Sequence, residues 1–211
     1  VAAGARRLKN RYGSTLELLS HAQLWYIERE TRDLVRIQQA ELLESFNKAQ
    51  SDYGLSTGLA LVSEIVEQVL PEREVSEAMF RLVLLTVREI ERRNSGALPL
   101  SYFAFWTVRL AGWLPRFNAC AFCGKLFGTR PAYQAASHHG LLCEEHRRSG
   151  MKPVSFEGRE LAERFAGESL DRFGAAIEAA PAVKELREVG LNWIEHHTER
   201  VLKTRELLET P

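Results

Sequence analysis

The chain has 211 residues, which is enough for one large or two small domains with a buried core. Lys and Arg total 28, as do Asp and Glu, so the net charge alone does not indicate a polyanionic partner. Hydrophobic residues make up 45% and charged residues 27%, a composition that excludes an extensively disordered chain. Since no apolar run approaches the ~18 residues of a membrane span, we expect a cytoplasmic protein with no membrane partner.

The first sixteen residues are basic and contain no acidic side chain. Gly4 and Gly13 flank four cations, which are Arg6, Arg7, Lys9 and Arg11. A glycine-flanked basic loop can contact phosphates, because the charged backbone dominates nucleic-acid affinity. An ordinary solvated loop would have the same composition, so both interpretations stay open.

Two strands are predicted after the basic run, at Leu18–Arg29 and Leu34–Phe46, because both segments are rich in leucine, aromatic and β-branched residues. The polar residues 30–33 between them suit a hairpin turn. Two strands alone are marginally stable. We therefore expect further strands before Val1 and a chain that begins inside a longer protein.

Apolar residues at helical spacing predict three helices between residues 51 and 115. The first ends at Pro71, and Ser76 is a suitable N-cap for the second. Pro99 precedes the third, which we expect to end near Gly112 and Pro115.

All three cysteines of the chain lie in one constellation, Cys120-x-x-Cys123 followed by Cys143-x-x-His146. Two ligands separated by two residues can share one tight turn, and two such turns complete a tetrahedral zinc shell. Gly124 suits the first turn because glycine tolerates positive φ. Four protein ligands leave no position for water, so the zinc would be structural.

Other fourth ligands, and roles of the cysteines other than metal binding, also agree with the sequence. His138 and His139, in the loop between the two pairs, are rival fourth ligands, although His146 repeats the spacing of the first pair. We interpret His138 and His139 as the exposed turn of a hairpin between Tyr133–Ala136 and Leu141–Leu142. Two other interpretations of the cysteines are a redox-active Cys-x-x-Cys pair and buried thiols that bind no metal.

The rest of the chain is predicted to be helical. Residues 155–179 suit one or two short helices, and Pro181 suits the first turn of a last helix whose apolar stripe extends to Val201. A second basic group follows the last zinc ligand and consists of Arg147, Arg148 and Lys152. No catalytic constellation is recognisable, and we expect no enzymatic activity.

Several segments resemble one family. The stretch Phe105–Pro115, followed by Cys120-x-x-Cys123, resembles the segment entering the zinc finger of the RecO family of bacterial recombination mediators. Gly4–Gly13 is similar to the basic loop of that family's oligonucleotide-binding (OB) domain, and Phe80–Leu84 lies in the expected helical position. His196–Arg205 is similar to its closing helix.

The resemblance implies a mainly α fold with a partial β OB-fold region at the N-terminus and an inserted Cys3His zinc finger. The expected domains are 1–48 (partial OB fold), 49–116 (helical), 117–150 (zinc finger) and 151–211 (helical). Family members bind single- and double-stranded DNA, anneal complementary strands and partner RecR. They also help to load recombinase onto DNA coated with single-strand binding protein, in the RecFOR pathway of DNA repair and recombination.

For this chain the resemblance implies DNA contacts from the basic loop, a bacterial nucleoid-associated location and one structural zinc ion. Arg36 on the second strand is a further candidate for DNA binding. The alternative function is a zinc-stapled protein–protein adaptor that does not bind DNA directly.

Overall fold

The computed structural model describes residues 12–29, 34–134 and 140–208, and within these ranges it is a helical body with two small antiparallel sheets. The strands are β1 (His21–Ile27), β2 (Arg36–Glu44), β3 (Ala132–Gln134), β4 (Leu141–Leu142) and β5 (Lys152–Val154). The α-helices are α1 (Asn47–Ser51), α2 (Tyr53–Val69), α3 (Glu77–Arg93), α4 (Ala97–Leu110), α5 (Phe156–Gly167), α6 (Pro181–Thr198) and α7 (Lys203–Leu207). Short 3-10 turns lie at Gly13–Leu16, Glu144–His146, Leu170–Arg172 and Ala175–Ile177.

The first sheet consists of β1 and β2, which pair antiparallel from His21 opposite Glu44 to Ile27 opposite Arg36. Both predicted strands are thereby confirmed, with slightly narrower bounds. The predicted turn, residues 30–33, lies outside the described residues. Tyr12 is buried at the edge of this sheet, and its hydroxyl donates to the carbonyl of Ile37 at 3.4 Å.

Side-chain caps set the starts of α2 and α3. Asp52 Oδ1 accepts a hydrogen bond from the backbone N–H of Leu55 at 2.9 Å, and Ser76 Oγ accepts one from Met79 at 3.3 Å. The predicted N-cap at Ser76 is confirmed. Phe80 stands at helical spacing with the apolar residues Val83 and Val87, which predicts a buried position, but it is 54% exposed, so this prediction is wrong.

Helix α4 lies at the centre of the body and contacts α2, α3, α5 and α6. Pro99 lies inside its first turn rather than before it, where the missing N–H costs no helical hydrogen bond. Gly190 allows α6 to pack closely on α4, since a Cβ there would lie 2.9 Å from the Cβ of Ala104.

Aromatic rings fill the space between the helices. The ring centroid of Phe165 on α5 lies 5.8 Å from that of Phe105 on α4 and 5.2 Å from that of Phe173. Phe117 and Trp193 meet edge to face at 5.7 Å. These rings bury large apolar areas and pack among the leucine, valine and isoleucine side chains of the same core.

The C-terminal part departs from the prediction of a single last helix, because α6 ends before Val201 and a separate helix, α7, follows it. Helix α6 begins at Pro181, as predicted, but ends at Thr198 because Glu199 adopts φ 55°. Val201 therefore lies outside the helix and is 70% exposed. Helix α7 is held by Glu64 on α2, whose carboxylate accepts the N–H of Lys203 at 2.8 Å and of Thr204 at 3.0 Å.

The second sheet lies in the chain between α4 and α5, with strand order β4-β3-β5. The predicted hairpin is confirmed in its paired residues, Tyr133 with Leu142 and Gln134 with Leu141. Its turn falls at residues 135–139, outside the described residues. The third strand, β5, was not predicted, because three residues containing a proline carry almost no strand signal.

Among the helices described, none combines the length and apolar character that crossing a bilayer requires.

Candidate metal centre and nucleic-acid interface

The four predicted metal ligands come together. The Sγ atoms of Cys120, Cys123 and Cys143 and a ring nitrogen of His146 all lie within 4.8 Å of one another. Cys120 and Cys143 are buried, His146 is half-buried and Cys123 is exposed. Such a group of side chains could hold one metal ion. The rival ligands His138 and His139 lie outside the described residues.

The distances within the cluster fit a tetrahedral ion. With Zn–S bonds of about 2.3 Å, two sulfurs of a regular tetrahedron lie about 3.8 Å apart. Cys123 Sγ lies 3.9 Å from Cys143 Sγ. Nδ1 of His146 lies 3.1 Å from Cys143 Sγ and 3.9 Å from Cys120 Sγ. These separations bracket the edge of about 3.5 Å that one sulfur and one nitrogen ligand would share.

Two tight turns present the ligands. In the first, the N–H of Gly124 donates to the carbonyl of Cys120 at 2.9 Å, and Gly124 adopts the expected positive φ, 72°. In the second, the N–H of His146 donates to the carbonyl of Cys143 at 3.0 Å, which closes a 3-10 turn. The Cys-x-x-Cys and Cys-x-x-His spacings therefore produce two turns that point at one position.

Backbone dipoles favour the thiolate form of Cys120. Burial is the largest single influence and raises its pKa, but N–H groups of Cys123, Cys143 and Phe122 together outweigh it and lower the pKa of Cys120 from 9.0 to about 6. Metal ligands must be deprotonated, so this arrangement suits cation binding.

A salt bridge joins the two turns at the surface. Lys125 Nζ, after the first pair, lies 2.6 Å from Glu145 Oε1, inside the second pair. Hydrogen bonding to Lys125 lowers the pKa of the Glu145 carboxyl. Both side chains are exposed, so we expect the pair to orient the turns more than to stabilise them.

The finger, residues 117–150, is attached to the helical body by Arg159 on α5, which is only 4% exposed. Its guanidinium donates to the carbonyls of Phe117, Gly128 and Arg130 at 3.4, 2.9 and 2.6 Å. Burial lowers the pKa of Arg159. The role of Arg159 was not predicted from the sequence. The one indication of its burial was its position on α5, three residues before the buried Ala162 and so on the same helix face.

The β1–β2 sheet carries the candidate nucleic-acid residues that the structure describes. Arg36 is exposed at the start of β2, opposite Ile27. Trp25 is 39% and Tyr26 57% exposed on β1. The sequence analysis did not single out these two aromatics, although their exposure suits base stacking. Four predicted DNA-binding residues lie outside the described residues, namely Arg6, Arg7, Lys9 and Arg11.

Charged side chains fix this sheet to the helical body. The guanidinium of Arg88 on α3 forms two hydrogen bonds to the carboxylate of Glu44 on β2, and His21 Nδ1 lies 2.9 Å from the same carboxylate. Hydrogen bonding to Arg88, followed by that to His21, lowers the pKa of Glu44 from 4.5 to about 2. The ion pair is therefore maintained throughout the neutral range.

Comparison with known proteins gives one consistent result. The family model "Recombination protein O C terminal" matches residues 50–206. A DNA repair protein RecO of Koribacter versatilis is 32% identical over 99% of this chain and 85% of its own length. RecO of Bifidobacterium longum subsp. infantis is 28% identical over 100% of this chain and 85% of its own length. RecO of Myxococcus xanthus is 26% identical over 98% of this chain and 83% of its own length.

The family model covers about three quarters of the chain, and the relatives match it along nearly its whole length. The chain belongs to the RecO family.

Proposed function

We propose that the chain is a recombination mediator in DNA repair. In this role it binds single- and double-stranded DNA, anneals complementary strands and helps to load recombinase onto single-stranded DNA coated with single-strand binding protein. The observation that carries the proposal is the similarity to proteins named DNA repair protein RecO along 99% of the chain. Annealing needs no bond-breaking residue, since basic surfaces reduce strand repulsion and raise local concentration.

In this proposal Cys120, Cys123, Cys143 and His146 hold one zinc ion with a structural role. The Cys3His set and its tetrahedral spacing support this assignment. The ion would supply folding free energy to a segment whose strands, β3 and β4, are only three and two residues long. Four protein ligands leave no site for substrate or water, which supports a non-enzymatic function.

The DNA surface is proposed on the N-terminal sheet and the adjacent basic run. Arg36 supplies one phosphate contact, and Trp25 and Tyr26 offer ring faces for bases. The basic run, which ends at Arg11 directly before Tyr12 in the sequence, supplies the others. Base stacking on an aromatic contributes roughly 1–3 kcal/mol and requires no particular sequence, as an annealing protein needs.

We propose the same domain division as the sequence analysis, with a partial OB-fold region at 1–48, a zinc finger at 117–150 and helical parts at 49–116 and 151–211. The proposed protein partners are RecR and single-strand binding protein, and the proposed location is the bacterial nucleoid. Pull-down of purified RecR and of single-strand binding protein by the chain tests both contacts, and failure to retain RecR would remove it from the proposal.

The experiment that tests DNA binding is a filter-binding titration with single-stranded oligonucleotide at several salt concentrations. The combined variant replaces four residues by alanine, namely Arg6, Arg7, Lys9 and Arg11. Each lost phosphate contact lowers the slope of log K against log salt by about one unit. Arg36→Ala should lower the salt slope by about one unit. The control is Arg172→Ala, which removes an exposed arginine of the helical body and should leave the slope unchanged.

An unchanged slope in the combined variant would remove the basic loop from the binding surface. If the unaltered chain fails to bind single-stranded DNA even at low salt, the adaptor function replaces the proposed one. A strand-annealing assay without nucleotide cofactor then decides whether DNA binding has the proposed consequence.

A further inference from the structure

The finger presents a groove beside its candidate metal centre. The groove has a volume of about 390 Å³ and is lined by both ligand-bearing turns, including Phe122, Leu142, Arg147 and Arg148. Its volume falls in the range of about 300–1,000 Å³ that is typical of small-ligand sites.

The aromatic residue of this groove is unusually exposed. Phe122, between Cys120 and Cys123, is 73% exposed. One side of its ring packs against the imidazole of His146, with ring centroids 4.4 Å apart, and most of the remaining surface faces solvent. Because one side of the ring already packs against His146, stacking of a base on its open face would require little further ordering of the side chain.

The charges around this ring are predominantly positive. Residues 117–150, the finger, contain four Lys or Arg and two Glu in a chain of zero net charge. Both acids are already engaged, Glu145 with Lys125 and Glu144 with Arg147, which lie 2.6 and 3.4 Å apart. Three thiolates on one Zn²⁺ would add a single negative charge, which leaves the finger positive.

The two arginines of the groove differ in their freedom. The guanidinium of Arg147 lies 4.7 Å from the ring centroid of Tyr133 and 3.4 Å from Oε1 of Glu144, and these two contacts fix its direction. Glu144 and this side chain are both exposed, so a phosphate can compete with the ion pair at small cost. Arg148 is exposed, and its guanidinium has no hydrogen-bond or ion-pair partner among residues 12–29, 34–134 and 140–208. One positioned and one uncommitted guanidinium beside an exposed ring match successive phosphates flanking an unstacked base.

We propose that this groove is a second binding site for single-stranded nucleic acid, in which Phe122 stacks on a base and Arg147 and Arg148 contact the flanking phosphates. The proposal rests on the DNA-binding function proposed above but uses a different surface, on the finger rather than on the β1–β2 sheet. A strand bound at both sites would be held at two points, which raises its effective concentration at each.

The experiment compares two probes of equal length, an oligothymidylate and the same phosphodiester chain with abasic sites throughout. Phe122→Leu should weaken binding of the oligothymidylate at least about fivefold and leave binding of the abasic chain nearly unchanged. Phe122→Trp should retain full affinity because it keeps the ring face. Leu126→Ala, an equally exposed apolar residue on the same finger but outside the groove, should affect neither probe.

Salt titration tests the phosphate contacts. The double variant of Arg147 and Arg148 to alanine should reduce the salt slope by about two units for both probes. Arg130→Ala, also exposed on the finger but outside the groove, serves as the control and should leave the slope unchanged. Zinc content and melting temperature are measured for each variant, so that loss of the finger is not mistaken for loss of a contact.

The outcomes separate the two proposals. If the unaltered chain binds neither probe, the proposed DNA-binding function is overturned and this site with it. If it binds both and the Phe122→Leu and double arginine variants match their controls, only the finger site is overturned. If these variants bind DNA normally but lose affinity for a polyglutamate peptide, the groove is a site for an acidic protein and the proposal is wrong.

Discussion

Replacing Arg159 by methionine is expected to destabilise the chain by about 3 kcal/mol. Two hydrogen bonds from its guanidinium are short, 2.9 Å to the carbonyl of Gly128 and 2.6 Å to that of Arg130. Bonds to a charged group contribute about 1.5–3 kcal/mol each, which gives about 3–6 kcal/mol for the two. Methionine fills the space of the aliphatic stem and removes the cost of burying a charge, so the lower end applies.

The assay is equilibrium unfolding in urea, followed by tryptophan fluorescence, with Arg164→Met as the matched control. Arg164 lies on the same helix and pairs with Glu168, with 2.9 Å between Nε and Oε1, but about half of its side chain is exposed. A surface pair of this kind contributes about 1 kcal/mol or less. A loss for Arg159→Met no larger than for Arg164→Met would refute the role of Arg159 in attaching the finger.

A second readout follows from the position of the three carbonyls, which all belong to the finger. Metal binding is coupled to the folding of the segment that supplies the ligands. Arg159→Met should therefore lose zinc to a chelator faster than the unaltered chain, and Arg164→Met should not. Equal release rates would show that the finger holds its ligands without support from α5.

Three further predictions concern other parts of the molecule. Cys120→Ser should abolish zinc binding and lower the melting temperature; an unchanged melting temperature and metal content would disprove the zinc assignment. Gly190→Ala should lower the free energy of unfolding in urea by about 1–3 kcal/mol, because the added Cβ would press on α4. Gly167→Ala, with open space around it, is the control and should not destabilise the chain. Equal free energies for the two variants would contradict the close packing of α6 on α4. Because the pKa of Glu44 is lowered from 4.5 to about 2, its pairing with Arg88 is complete above pH 4.5 and is lost toward pH 2. Glu44→Gln should flatten the pH dependence of unfolding free energy in that window, and parallel curves would argue against the pair.

Local patterns in the sequence predicted the parts of the fold that depend on neighbouring residues. The N-cap at Ser76 and the start of α6 at Pro181 follow from backbone hydrogen bonding within one turn. The ligand cluster was predictable for a similar reason, because each pair spans a single turn. Strand β5 and the end of α6 before Val201 were not predictable from local patterns, since tertiary contacts determine both.

The largest omission in the sequence-based prediction was Arg159. A charged residue on a helix is ordinarily assigned to the surface, and only the three carbonyls that converge on it make burial possible. Those carbonyls come from a segment 29 to 42 residues earlier in the chain, so no local pattern could reveal them. The exposure of Phe122 was equally hidden, because a phenylalanine between two ligands would ordinarily be assigned to the core.

The contact of Glu64 with the start of α7 has a consequence for biosynthesis. The two partners are 139 residues apart, and the carboxylate caps α7 by accepting two of its first N–H groups. During translation, α2 emerges from the ribosome long before Lys203 has been made. The cap on α7 therefore forms only after Lys203 and Thr204 have been synthesised and have left the ribosome, so this closure of the helical body is a late step of folding.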